Sequence, residues 1–143
     1  MEYKYITTTQ AINGRIKERS EDFIVEEIGN NYKTQVKYLP DEKVFTDWED
    51  AFSKQNKKHL HIDLEKRGLS TTQAINQLSR FLRISQKKIG YAGLKDKRAI
   101  TSQRISIHEP LKERISKFYY KNIKIYNPSF EKKEITIGDL KEN

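Results

Sequence analysis

The chain has 143 residues, and its 28 Lys and Arg against 20 Asp and Glu give a net charge of +8. This length suits one domain with a modest core, and the positive charge favours a polyanionic partner such as nucleic acid. Cysteine is absent and no apolar run could span a bilayer or serve as a signal peptide, which excludes disulfides and membrane insertion and predicts a cytoplasmic protein.

The first third of the chain predicts short strands and loops. Residues 16–28 contain two short extended pieces, the second of which is the β-type run Phe23, Ile24, Val25. Residues 29–58 have a weaker pattern, with Trp48 and Phe52 as the main apolar anchors. We expect loop and one short helix there.

A half-buried strand and an amphipathic helix come next. Residues 59–64 alternate between apolar and polar side chains, as in a strand with one face buried and the other in solvent. Ser70 and Gln73 have the spacing of a capping box, and apolar residues recur at helical intervals from there to about Arg83. This segment is the clearest helix in the chain.

The remaining elements complete an α+β pattern. Gly90 and Gly93 open a compact loop. The sequence then predicts, in order, a strand over residues 100–107, a short helix near 111–118, and strands near 123–126 and 134–137 that are split by Asn127 and Pro128. Helices and strands mix without regular alternation, which predicts an α+β fold with a mixed, largely antiparallel sheet and one main helix.

The compact loop carries the most informative chemistry. It presents Lys95, Asp96, Lys97 and Arg98 together, so that one carboxylate lies among cations. Such a carboxylate should be ionised at neutral pH and could act as a nucleophile or base, while the cations could hold phosphates. The alternative is an ordinary hairpin turn in which Asp96 pairs with a neighbouring cation in solvent, and spacing alone favours that alternative.

Two motifs change this balance. The pattern G-x-K-D-x-x-A-x-T-x-Q is matched at every fixed position, by Gly93, Lys95, Asp96, Ala99, Thr101 and Gln103. A lysine followed by E-D-F-x-V-x-E is matched nearer the N-terminus, by Lys17, Glu21, Asp22, Phe23, Val25 and Glu27. In both motifs the chain resembles the TruD family of tRNA pseudouridine synthases. Ser20 stands where the family usually has proline.

The resemblance implies a partial pseudouridine-synthase catalytic fold. Residues 1–143 would be the N-terminal portion of the catalytic domain, with the rest of that domain and the inserted domain of the family absent. A third family motif, Asn-x-Phe-x-Ile, provides the aromatic residue that stacks on the target base. The chain ends at Asn143, before that aromatic residue.

The resemblance also implies roles for individual residues. Asp96 would be the catalytic carboxylate that isomerises uridine to pseudouridine in RNA, and the enzyme would need no cofactor and no metal. Lys95 would orient Asp96 or bind a phosphate, and Phe23 would contact the base or belong to the core. The RNA-binding set is Lys17, Phe23, Lys95, Lys97, Arg98 and Arg104. The loop-supporting set is Gly93, Thr101, Gln103 and Glu27.

The expected partner is RNA, in this family tRNA, together with a companion chain if the missing half is supplied separately. The alternative is a non-catalytic fragment that binds RNA through its cations, including Lys87 and Lys88. A basic structural protein of a nucleoprotein assembly is a weaker alternative.

Two other clusters have simpler explanations. His59, His61 and Asp63 share a strand face and could chelate a metal, but without further ligands we expect a solvated face. The acidic residues near the short helix, Asp47, Glu49 and Asp50, are also expected on a solvated face.

Overall fold

The computed structural model describes residues 24–29, 31–37, 43–96 and 98–138. Its regular elements are β1 (Ile24–Val25), α1 (Trp48–Ser53), β2 (His59–Arg67), α2 (Thr71–Leu82), a 3₁₀ helix (Gln86–Lys88), β3 (Ile89–Tyr91), β4 (Ile100–His108), α3 (Lys112–Ile115) and β5 (Ile123–Glu131). No helix within these ranges is long and apolar enough to cross a membrane.

The strands form one mixed sheet in the order β1-β4-β2-β5, and β3 also pairs with β4. The pairs β2–β4, β2–β5 and β3–β4 are antiparallel, whereas β1 runs parallel to β4. The predicted α+β class is therefore confirmed, with a largely antiparallel sheet and α2 as the main helix of the described residues.

The core lies between α2 and one face of the sheet. Alternate residues of β2 point to this face, and the register places Leu60 opposite Ile107 and Ile62 opposite Ile105. Four apolar residues of α2 complete the core, namely Ala74, Ile75, Leu78 and Leu82. Burial of these side chains is the main force that holds the helix on the sheet.

Helix α2 begins and ends as predicted. Ser70 Oγ accepts from the Gln73 backbone N–H at 3.1 Å, and Gln73 Oε1 accepts from the Ser70 N–H at 2.9 Å. These reciprocal bonds satisfy two N–H groups that the first turn leaves unpaired. The helix ends at Arg83, whose φ of 59° gives the left-handed turn that commonly terminates helices.

The second face of the sheet is polar and only partly solvated. This corrects the expectation of a solvated face for Asp63, while His59 and His61 are half-buried. Asp63 is buried and forms an ion pair with Arg104, Nη1 to Oδ1 at 2.7 Å. Residues 31–37 cover part of this face, since the Tyr126 hydroxyl donates to the Gln35 carbonyl at 2.8 Å. Alternation within one strand could not show that a distant segment lies over its polar side.

Four other predictions differ from the structure. The residues after Ile89 form the short strand β3 rather than only loop, and α3 is shorter than the predicted 111–118 helix. β5 continues through Asn127, whose φ of 57° accompanies a shift in register with β2. Residues 134–137 form no strand; instead the Ile135 N–H donates to Ser106 Oγ at 2.9 Å.

Gly90 allows the backbone at Ile135 to pack closely against β3, and replacement of Gly90 by alanine should destabilise the fold. A Cβ at Gly90 would lie 2.1 Å from the Ile135 carbonyl oxygen and 2.7 Å from Ser106 Oγ. Because backbone must move to relieve this overlap, we expect a loss of about 1–3 kcal/mol in the free energy of unfolding. Urea denaturation would measure the loss, with Thr72→Ala on the exposed side of α2 as the control. Equal stability of the two variants would contradict the close packing.

Candidate active site

The segment between β3 and β4, described at residues 92–96 and 98–99, lies beside a gap in strand pairing at the sheet edge. β1 pairs with the first two residues of β4 and β3 pairs with residues 105–107. Between them, side chains bond to the β4 backbone: Thr34 Oγ1 donates to the Ser102 carbonyl at 3.1 Å, and the Arg104 N–H donates to Glu27 Oε1 at 3.0 Å. These side chains satisfy backbone groups that a longer strand would otherwise pair.

Lys95 and Glu27 form a buried ion pair beneath this loop. Lys95 Nζ lies 2.8 Å from Glu27 Oε2, and both side chains are 0% exposed. Glu27 Oε1 also accepts from the Tyr32 hydroxyl at 2.7 Å. The carboxylate is thus surrounded by donors, as a buried charge requires. The resemblance implied that Lys95 orients Asp96 or binds a phosphate; in the structure its ammonium is held by Glu27.

The backbone of the loop is tied to the start of α2. The Lys95 N–H donates to Thr71 Oγ1 at 2.8 Å, and the Thr71 hydroxyl donates to Gln103 Oε1 at 2.8 Å. Gln103 Nε2 then donates to the Gly93 carbonyl at 3.0 Å. All polar atoms of this chain of bonds have partners, so it restrains the loop on the side away from solvent.

Lys66 forms a second attachment. Its side chain is fully buried, and its Nζ donates to the carbonyl oxygens of Leu69 at 2.7 Å, Lys95 at 3.4 Å and Asp96 at 3.3 Å. Burial, together with the nearby Lys95 ammonium, lowers the pKa of Lys66 to about 8, while the Asp96 carboxylate acts in the opposite direction. At neutral pH Lys66 is therefore mostly a cation.

Asp96 differs from these residues because its side chain is 51% exposed. Its Oδ1 accepts from the Arg98 backbone N–H at 2.8 Å, and the Arg98 guanidinium Nε lies 3.8 Å from the same oxygen. The carboxylate is thus oriented by its own loop and remains accessible to a molecule in solution. A positioned, accessible carboxylate can act as a nucleophile or as a general base.

The other predicted site residues occupy different environments. Arg98 lies beside Asp96 and is exposed, whereas the Arg104 side chain belongs to the buried pair with Asp63 on the polar face of the sheet. The Thr101 hydroxyl, predicted to hydrogen-bond the loop, is buried and has no hydrogen-bond partner among the described residues. Three further predicted residues, Lys17, Phe23 and Lys97, lie outside the described residues.

The two weaker clusters show no catalytic or metal-binding geometry. No group of three or more His, Asp or Glu in the described part of the chain could hold a metal ion. His61 Nε2 contacts the Lys133 carbonyl at 2.7 Å, and burial lowers the pKa of His61. Asp47 caps α1 by accepting from the Asp50 N–H at 3.0 Å, so the acidic cluster forms a helix N-terminus.

Three residues that bond to the loop or to Glu27 were not predicted from the sequence, namely Lys66, Thr71 and Tyr32. Lys66 had a detectable signal, because it falls in phase with Leu64 and the other core residues of an alternating strand. A lysine at a core-facing position requires buried acceptors. Thr71 had no such signal, since its partners Gln103 and Lys95 are distant in sequence. Tyr32 lies only five residues from Glu27, but no pattern in the sequence indicates that the two side chains meet.

A double-mutant cycle on Glu27 and Lys95 would measure the strength of the buried pair. Glu27→Gln or Lys95→Met alone leaves one buried charge uncompensated, so each should lower the free energy of unfolding by about 3–5 kcal/mol. The double variant should lose clearly less than the sum. Denaturant unfolding provides the values, and Asp50→Asn in the exposed pair with Lys54 should cost roughly 0.5 kcal/mol or less. Additive losses would show that the two groups do not interact.

Comparisons with known proteins identify the relatives of this chain. A family model described as tRNA pseudouridine synthase D (TruD) matches residues 1–143. A probable tRNA pseudouridine synthase D from Methanococcoides burtonii is 35% identical over 140 residues, which is 97% of this chain and 27% of that protein. One from Archaeoglobus fulgidus is 38% identical over 139 residues, covering 97% of this chain and 29% of the relative.

A solved structure gives the same result. The crystal structure of a tRNA pseudouridine synthase D from Methanosarcina mazei matches with a TM-score of 0.65 at 34% identity, over 87% of this chain and 24% of that one. This chain thus spans less than a third of the length of these relatives. On the whole-chain family match, it belongs to the TruD family of tRNA pseudouridine synthases.

Proposed function

We propose that this chain supplies the catalytic carboxylate, Asp96, of an enzyme that isomerises uridine to pseudouridine in tRNA. The observation that carries the proposal is the difference in exposure between two neighbouring charged side chains of the loop. Asp96 alone extends a half-exposed carboxylate, while Lys95 beside it is buried and tied to Glu27. Family membership indicates which reaction the carboxylate would catalyse, because the relatives are named as tRNA pseudouridine synthases.

The reaction suits a single fixed carboxylate. The bond between the sugar C1′ and N1 of the base breaks, the base turns, and a bond from C1′ to C5 forms while a proton moves from C5 to N1. Atoms and charge balance without an oxidant or a reductant, so no cofactor is needed. Asp96 would attack or deprotonate the nucleoside to start this sequence.

The enzyme as a whole would be longer than this chain. Since the relatives are more than three times as long, residues 1–143 would be the N-terminal portion of the catalytic domain. The remaining residues would follow in the same polypeptide or come from a companion chain. An aromatic residue that stacks on the target base would belong to that remaining part.

The distribution of charge supports RNA as the partner. Residues 79–90 contain four cations and no carboxylate, and residues 111–121 contain four cations and one carboxylate. The two segments meet, because Arg114 Nη1 donates to the Leu82 carbonyl at 2.9 Å and the Phe81 and Phe118 rings contact at 5.2 Å. We call this the basic surface, formed by Arg80, Arg83, Lys87, Lys88, Arg114 and Lys117. It attracts phosphates.

Aromatic side chains accompany these cations. Tyr119 is 74% exposed and Phe81 is 40% exposed. Exposed rings among cations can stack on unpaired bases while the cations hold the backbone. Residues 119–122 connect this surface to β2, because the Asn122 backbone carbonyl accepts from the Arg67 N–H at 3.1 Å. The adjacent Lys66 Nζ contacts the Asp96 carbonyl at 3.3 Å. In this proposal one RNA would contact both the basic surface and Asp96.

Replacement of Asp96 by asparagine should abolish pseudouridine formation, because the amide is neither a comparable nucleophile nor a base. The affinity for tRNA should stay within about twofold, since the basic surface is unchanged. Chemical labelling of pseudouridine after incubation with tRNA measures the product, using this chain with the remaining part of the enzyme. Asp50→Asn is the matched control.

Product formed equally well by Asp96→Asn would refute the catalytic assignment. Binding without product by the unmutated protein would instead support the non-catalytic RNA-binding fragment.

Neutralising the basic surface should weaken RNA binding without affecting the fold. We expect Arg83→Ala, Lys87→Ala and Lys117→Ala together to lower the affinity and to reduce the slope of log K against log salt by about 0.7–0.9 for each phosphate that the protein no longer neutralises. Electrophoretic or fluorescence binding to tRNA at several salt concentrations measures both. The control removes the same charge elsewhere, with Lys43→Ala, Lys54→Ala and Lys132→Ala. Equal losses in the two triple variants would refute a localised RNA surface.

A further inference from the structure

The reaction proposed above assigns no role to Lys66, a buried lysine beneath the catalytic loop. Lys66 lies on β2 in phase with Leu60, Ile62 and Leu64, and its side chain is 0% exposed. An apolar side chain would fit such a position at much lower cost, because an ammonium loses its hydration there. The three carbonyl oxygens around Nζ replace part of that hydration.

Two of these carbonyls bracket the Cα of Asp96. The Lys95 carbonyl precedes Asp96 and the Asp96 carbonyl follows it, and both point to the same Nζ, at 3.4 Å and 3.3 Å. The direction of the Cα–Cβ bond depends on φ and ψ of Asp96, which the orientations of these two peptide groups define. Holding both carbonyls on one cation therefore restricts where the carboxylate can point.

We propose that Lys66 is a positioning residue for Asp96, which fixes the backbone on both sides of the carboxylate without touching the RNA. Its third contact, the Leu69 carbonyl at 2.7 Å, anchors the ammonium to the turn before α2. The same turn leads to Thr71, which accepts the Lys95 N–H at 2.8 Å. Lys66 and Thr71 thus hold the loop from one rigid segment.

Protonation of Lys66 is part of this role. A protonated ammonium donates three hydrogen bonds, one for each carbonyl. The pKa of about 8 that burial produces leaves most molecules protonated at neutral pH, and the Asp96 carboxylate favours that state. A neutral amine would donate only two bonds and would hold the loop less firmly.

The positioning role of Lys66 rests on the proposed function only for its effect on turnover. Loop mobility and turnover are therefore measured separately. Lys66→Met keeps the length of the side chain but removes the donors, and Lys54→Met on the exposed end of α1 is the control. Amide hydrogen exchange reports the loop through the N–H groups of Lys95 and Arg98, which Thr71 and Asp96 bind. In Lys66→Met these amides should exchange about tenfold faster or more, while amides of α2 and of the β2–β4 pair stay unchanged.

In the complete enzyme, Lys66→Met should lower kcat by at least about tenfold and leave the RNA affinity within about twofold, because Lys66 is buried away from the RNA. Unchanged exchange at Lys95 and Arg98 would overturn the positioning role whether or not the enzyme is active. If the unmutated protein forms no pseudouridine, the proposed function fails, while the exchange comparison still decides the role of Lys66.

A measurement on the unmutated protein covers the case in which Lys66→Met does not fold. An NMR titration of the Lys66 side chain should show a midpoint near pH 8, as expected for a buried ammonium next to Lys95. A midpoint near 10.5, the value of a lysine in water, would show that the ammonium is solvated and would overturn the inference.

Discussion

The candidate site depends on the buried ion pair between Glu27 and Lys95. These residues lie 68 positions apart, and their contact joins the segment after β1 to the loop before β4. Desolvation of two charges is costly, and it is offset here because Glu27 also accepts from Tyr32 and from the Arg104 backbone. The pair therefore links the two motifs of the family in space.

The pair also separates the charges of the loop. Glu27 neutralises the Lys95 ammonium inside the protein, so Lys95 does not pair with the exposed carboxylate of Asp96. Asp96 keeps its exposed position, where the exposed Arg98 forms an ion pair with it and the buried Lys66 ammonium lies nearby.

Local signals in the sequence predicted the fold well. The Ser70–Gln73 capping box and the alternation along β2 depend on neighbours a few residues apart, so the sequence alone was sufficient for them. Predictions failed where a distant segment decided the outcome. Asp63 is such a case, because it is buried against Arg104. The partner of Lys95 lies 68 residues earlier in the chain and could not be predicted either. The motif located the loop but not the buried partners beneath it.

The number of buried polar groups devoted to one loop argues against an ordinary turn. A surface turn needs only the local bond from Arg98 to Asp96, which many solvent-exposed turns make. Here Glu27, Thr71, Gln103 and Lys66 all place buried polar atoms against residues 93–96. Such groups stabilise less than apolar packing would, and so they are better explained by the need to hold one exposed carboxylate in one place.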